Sequence, residues 1–190
     1  PEAGAPDERA TSPPLLWGPI LRSHLHYLRR KRGAYLRALY DLVRCNLGSP
    51  RYLGGALAFF PKAVHLAGRM AQDGVDHLHG HFASHPAAVA LVVHRLEGIP
   101  FSFTAHGSDL HRDRHMLREK VAEASFVVPI SEFNRRVILD ECGEQHAAKL
   151  AVIHCGIDPA VFRPGPGSAR DADRGALRLA CVGTLHEVKG

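Results

Sequence analysis

Polar and ionisable residues recur where short apolar runs of this chain end. "HLHGHF" (77–82) carries His79, Gly80 and His81 at its close. "IPFSFTA" (99–105) runs directly into His106, Gly107, Ser108 and Asp109. "SFVVPIS" (125–131) leads to Ser131 and Glu132, and "KLAVIHCG" (149–156) to Gly156, Ile157 and Asp158. "LRLACVG" (177–183) ends at Gly183 and Thr184, with Lys189 and Gly190 shortly after. Glycine permits close backbone approach, and His, Ser, Asp and Glu supply hydrogen bonds. Gathered at one edge, such ends suit a polar ligand.

Each residue also has a plainer reading. His77, His79 and His81 alternate, so an extended backbone puts them on one face. They are structural histidines, cleft-lining groups (His79 or His81), or ligands of a metal-dependent hydrolase, since neutral imidazoles bind zinc. His85, His106, His111 and His115 extend the set of candidate ligands, but the binuclear pattern H-x-H-x-D-H is not met. His106 is a ligand contact or a turn residue. Asp109 is an N-cap, an orienter of the His106 imidazole or a ligand contact. Glu132 is a first-turn helix charge or a ligand contact, and Gly156 most simply allows a tight turn after a strand.

The elements that position these ends follow from periodicity. Leu21, Leu25, Leu28, Leu36, Leu39 and Leu42 recur at helical steps over 15–47, with a break expected at Gly33. A second, largely apolar helix covers about 52–73, entered at Pro50. Strands are expected at 76–82, 99–105, 125–131 and 149–156, and helices at 87–96, 112–124 and 132–142, the last capped by Ser131. Strands alternating with helices make βαβ units and a parallel sheet, so the fold class is α/β, Rossmann-like, with flanking helices. Residues 1–14 read as a flexible lead-in and 15–158 as one domain. The Pro-, Gly- and Ala-rich 159–176 read as a linker, and 177–190 as the first strand of a second domain.

Composition narrows the class. Apolar residues make up 45% and charged residues 23% of the 190, enough for a buried core and against wholesale disorder. Four widely spaced cysteines with no C-x-x-C pair favour reduced thiols and a cytoplasmic protein over a disulfide or zinc framework. No apolar run is long enough for a membrane span. Residues 1–72 hold 11 Lys/Arg against 4 Asp/Glu, a net of +7, whereas 73–190 hold 13 against 15, a net of −2. The basic segment 22–37 is a solvated helix face or a peripheral contact with an anionic membrane surface. Nucleic acid is disfavoured, because aromatics are sparse and no binding motif accompanies the charge.

Four blocks in order carry a resemblance: "HLHGHFASHPAAVALVVHRLEGIPFSFTAHGSDL", "ASFVVPISEFNRRVI", "KLAVIHCGIDPAVFRP" and "ACVGTLHEVKG". Over about residues 76–190 the chain resembles the family-four retaining glycosyltransferases of the two-Rossmann-domain (GT-B) type, and within them the colanic-acid, exopolysaccharide enzymes. The resemblance implies transfer of a sugar, with retention at the anomeric carbon, from a nucleotide-sugar donor to a hydroxyl of a saccharide or lipid-linked acceptor, with no essential metal or other cofactor. It implies that His106, after "TA", contacts the transferred sugar, and that the acceptor lies on the first domain, where His79, His81, Asp109 and Glu132 are candidates. Gly156, Gly183, Thr184 and Lys189 are the implied donor-side residues, Lys189 at the diphosphate. Thr184 stands where the family commonly has arginine. The family's first strand with its Gly-rich loop has no counterpart before residue 15, and its paired-glutamate motif none before Gly190. The expectation is therefore an acceptor-side domain, inactive by itself; the alternatives are a metal-dependent hydrolase using His77, His79 and His81, or a non-catalytic sugar- or nucleotide-binding module on the same fold.

Overall fold

A computed structural model describes residues 18–111 and 114–163. Helices α1 (Gly18–Arg30), α2 (Arg32–Arg44) and α3 (Pro50–Gln72) come first. They are followed by β1 (Leu78–His81), α4 (His85–Glu97), β2 (Phe101–Ala105), α5 (Ser108–His111), α6 (Leu117–Glu123), β3 (Phe126–Pro129) and α7 (Glu132–Cys142). Strands β1, β2 and β3 lie side by side in that order, all parallel. This is the open α/β sheet expected of a Rossmann-like domain. The chain divides into a body up to Cys155 and a second unit from Gly156. In the second unit, Asp158 accepts the amides of Val161 and Phe162 on its carbonyl, and that of Ala160 on Oδ1.

The sheet has two unlike faces, and the register shows why. Leu78 pairs with Phe101, and Gly80 with Phe103, which pairs in turn with Val127. These residues face α4, whose Ala87, Ala90, Leu91 and Val93 are buried in the same apolar core. Each buried aromatic or branched side chain there contributes on the order of 1.5–3 kcal/mol through burial. Glycine at position 80 allows this close packing. A Cβ on it would come within 3.3 Å of the α4 backbone at Pro86 and Ala87. The opposite face carries His79, His81, Ser102, Thr104 and Phe126.

Helix boundaries follow local chemistry. Ser49 caps α3 by accepting the Tyr52 amide, and Pro50 takes the first position, where no amide donor is needed. Gly98 closes α4 in the left-handed conformation, φ 74°. Ser131 caps α7 by accepting the Asn134 amide at 3.1 Å, as the sequence predicts. The first helices are tied to the sheet layer by charge. Tyr27 donates to Glu97 at 2.6 Å, and Lys31 donates to Glu97 at 2.8 Å and to the Leu96 carbonyl at 2.7 Å. Arg95 joins Asp41 of α2 to Glu123 of α6.

Three sequence expectations change. The break in the first helical stretch falls at Lys31, whose backbone leaves the helical region (φ −134°) as its ammonium reaches Glu97; Gly33 lies inside α2. Of the helix expected over 112–124, the described residues show a shorter one, α6 from Leu117 to Glu123, with Met116 left-handed, φ 56°, at its N-cap; α5 precedes the expected range. The expected fourth strand is not a ladder strand. Leu150 forms one isolated bridge to Val127, and Ala151 and Ile153 donate to the Val127 and Pro129 carbonyls. Beyond Leu150 the side chains are largely exposed, so no buried face holds a longer pairing in register. The strand expected at 177–183, the lead-in over 1–14 and most of the linker lie outside the described residues.

Candidate functional site

The carboxyl ends of β1 and β2 carry the loops 82–84 and 106–107, where a ligand of an open parallel sheet binds. A single carboxylate joins them. Asp109, only 5% exposed, accepts the Ala83 amide at 2.6 Å and the His106 amide at 3.1 Å, both on Oδ2. Asn134 holds His106 from the other side, donating Nδ2 to its carbonyl at 3.1 Å. The Asn134 side-chain oxygen lies 3.0 Å from His111 Nε2. Both backbone groups of His106 are thus fixed by buried side chains. Among the described residues no group bonds its ring nitrogens. The imidazole lies 4.6 Å from the Phe82 ring and 6.1 Å from that of His81, centroid to centroid.

The histidines of β1 divide by role. His79 Nδ1 lies 2.7 Å from Ser102 Oγ and Nε2 2.9 Å from Thr104 Oγ1, so both nitrogens face the sheet. His77 Nε2 shares Ser102 Oγ at 2.7 Å, and its ring stacks on Phe126. Desolvation by burial, then the nearby His81 and His77, push the His79 pKa below its ordinary 6.5. A neutral imidazole, one nitrogen donating and the other accepting, suits two hydroxyl partners. Among the described residues, no three His, Cys, Asp or Glu side chains are grouped to hold a metal ion.

Of the predicted residues, the fold brings His81, His106 and Asp109 to one place. Asp109 does not bond the His106 imidazole; it bonds the backbone. Glu132 is exposed in the first turn of α7, a favourable place for negative charge beside the helix N-terminus. Gly156 is exposed in the second unit. Gly183, Thr184 and Lys189 lie outside the described residues.

Three residues escaped the sequence reading. Phe82 follows His81 in the left-handed region, φ 79°, with 43% of its surface exposed. Asn134 sits three residues after the cap Ser131, and nothing in "SEFN" separates it from an ordinary first-turn residue. Lys120 is fully buried, donating to the Ala83 and His115 carbonyls. Its one signal is helical spacing, because it falls between Leu117 and Val121 on the buried stripe of α6. Desolvation lowers its pKa to about 8, against the opposing charges of Glu119 and Asp109.

The model of the family described as Glycosyltransferase Family 4 matches residues 7–161. The chain belongs to that family. Among curated proteins and among solved structures, none matches significantly. Family-four membership gives the chain a glycosyltransferase role, with a nucleotide-sugar donor and an acceptor as its substrates in general, and the β1 and β2 loop ends are the candidate site for it.

His24, His65, His79 and His85 all have pKa values pushed below 6.5, in each case first by burial. His85 illustrates the cause: it lies between Tyr52 and Phe59, and its Nε2 is buried without a hydrogen-bond partner. Above pH 6.5 these groups are neutral both folded and unfolded, and their contribution is intact. Below it the unfolded chain takes up protons that the folded chain resists, so stability is lost. The thermal midpoint should fall steadily from about pH 7 to about pH 5, and less steeply in His79→Gln. A flat profile would contradict the assignment.

Proposed function

We propose that this glycosyltransferase chain is the acceptor-side domain of a retaining enzyme of the exopolysaccharide, colanic-acid type. It transfers a hexosyl unit, with retention at the anomeric carbon, to a saccharide or lipid-linked hydroxyl. The observation that carries the reading is the setting of His106. Its amide and carbonyl are held by Asp109 and Asn134, and its ring nitrogens have no partner among the described residues. Such a preorganised imidazole can donate to or accept from a sugar hydroxyl without reorganising during reaction. His81 completes the polar rim of the acceptor side, with Glu132 as a further acceptor contact.

In this reading residues 15–158 form the acceptor-side domain, 159–176 the linker and 177–190 the start of the donor domain. Gly156, Gly183, Thr184 and Lys189 serve the donor. Lysine and backbone amides stabilise the charge that develops on the departing diphosphate, which requires no metal. In the full-length protein, His106→Ala should lower turnover of nucleotide sugar by about 100-fold or more while leaving the thermal midpoint within a degree or two. Unchanged turnover would remove the role.

The reading includes a peripheral place at the cytoplasmic face of a membrane. Leu21, Leu25 and Leu28 form one exposed stripe along α1, and Leu36 and Tyr40 are exposed on α2. Arg22, Arg29, Arg30, Arg32 and Arg37 lie among them and are exposed as well. Apolar insertion with basic headgroup contact is how a helix lies on an anionic bilayer. No helix among the described residues is long and apolar enough to cross one. Binding to phosphatidylglycerol vesicles should fall about tenfold in Arg29→Glu/Arg30→Glu, and as much in Leu25→Glu. Equal binding of all three proteins would refute membrane contact.

A further inference from the structure

Phe82 combines three properties that no packing need explains. It is a large apolar side chain left 43% exposed, it is one of two non-glycine residues with positive φ among the described residues, and its ring lies 4.6 Å from His106. Glycine would adopt this backbone without strain and expose no apolar side chain to water. Several hydrogen bonds hold the backbone around Phe82 in place. The Phe82 amide donates to the Thr104 carbonyl at 2.9 Å, continuing the β1–β2 ladder one residue past the strand. At the next residue, the Ala83 amide is held by Asp109 and the Ala83 carbonyl by Lys120. The Lys120 ammonium is fully buried, a costly placement that the Ala83 and His115 carbonyls help to satisfy. Bracketed on both sides, the chain cannot relax Phe82 into an ordinary extended conformation.

We propose that Phe82 is a stacking platform for the apolar face of a pyranose ring, beside the His106 imidazole. One face of a pyranose presents axial C–H groups, which pack on the negative face of an aromatic ring. The hydroxyls then lie at the ring's edge, where His106 and His81 supply hydrogen bonds. An exposed aromatic next to a preorganised imidazole thus matches the two chemistries of one sugar. This assignment rests on the glycosyltransferase reading above and gives it a substrate-positioning residue. The same platform would suit the sugar of the acceptor or that of the donor.

Saturation-transfer NMR on the full-length protein tests it, with methyl glucopyranoside, galactopyranoside and mannopyranoside as probes. Wild type should saturate the axial ring protons of at least one glycoside. Phe82→Gly, which removes the ring and the backbone strain together and so should fold at least as well, should lower that signal at least tenfold. Phe82→Trp should retain it. Displacement of the glycoside by UDP-glucose or GDP-mannose assigns the platform to the donor sugar, and persistence beside the bound nucleotide assigns it to the acceptor. Equal saturation in wild type and Phe82→Gly, or none in wild type, would overturn the proposal. The two readings fail separately. Phe82-dependent glycoside binding with no sugar transfer would defeat the transferase reading alone, whereas transfer with substrate KM values unchanged in Phe82→Gly would defeat the platform alone.

Discussion

One carboxylate joins the two loops on which the rest of the site depends. Asp109 Oδ2 accepts amides from Ala83 and His106, residues 23 apart in sequence on the ends of neighbouring strands. Hydrogen bonds to a charged acceptor are among the stronger ones in a protein, about 1.5–3 kcal/mol each, and these two share a buried oxygen. The second oxygen, Oδ1, is buried with no hydrogen-bond partner, so the carboxylate is held at a cost. The nearby buried ammonium of Lys120 offsets part of that cost electrostatically. It also grips the carbonyl of the residue whose amide Asp109 holds.

Around this junction the fold acts as a rigid mount. Apolar packing of α4 on Gly80, Phe101 and Phe103 fixes the strands, and ion pairs through Arg95 and Glu97 fix the outer helices to α4. On the other face, His77 and His79 share the Ser102 hydroxyl. That face therefore satisfies both rings locally, and burial holds the His79 pKa below its ordinary value. The histidines at the strand ends, His81 and His106, have no such hydroxyl floor beneath them.

Much of the architecture was legible in the sequence. Regular alternation of short apolar runs with helical stretches gave the parallel sheet. Ser131 and Pro50 marked boundaries that local backbone chemistry decides. The errors share a physical origin. The Lys31 side chain at the helix break meets Glu97, 66 residues away, and the pairing of 150–153 is a single bridge with two further amide bonds. Neither is written locally. The site follows the same rule: His106 and His81 were visible because they end strands. The two amides that Asp109 accepts were not legible, because no side-chain pattern announces a backbone partner. Lys120 reads as one more charge in "LREKVAE", and Phe82 as the last apolar residue of a strand.

The central claim is that Asp109 couples the two loops through their amides. Hydrogen exchange at single-residue resolution addresses this directly, comparing wild type with Asp109→Ala. The account predicts that the Ala83 and His106 amides are both protected in wild type and both lose protection in the variant, at least tenfold, while Phe103 and Val127 in the sheet keep theirs. Protection retained at either amide, or lost equally throughout the sheet, would contradict it.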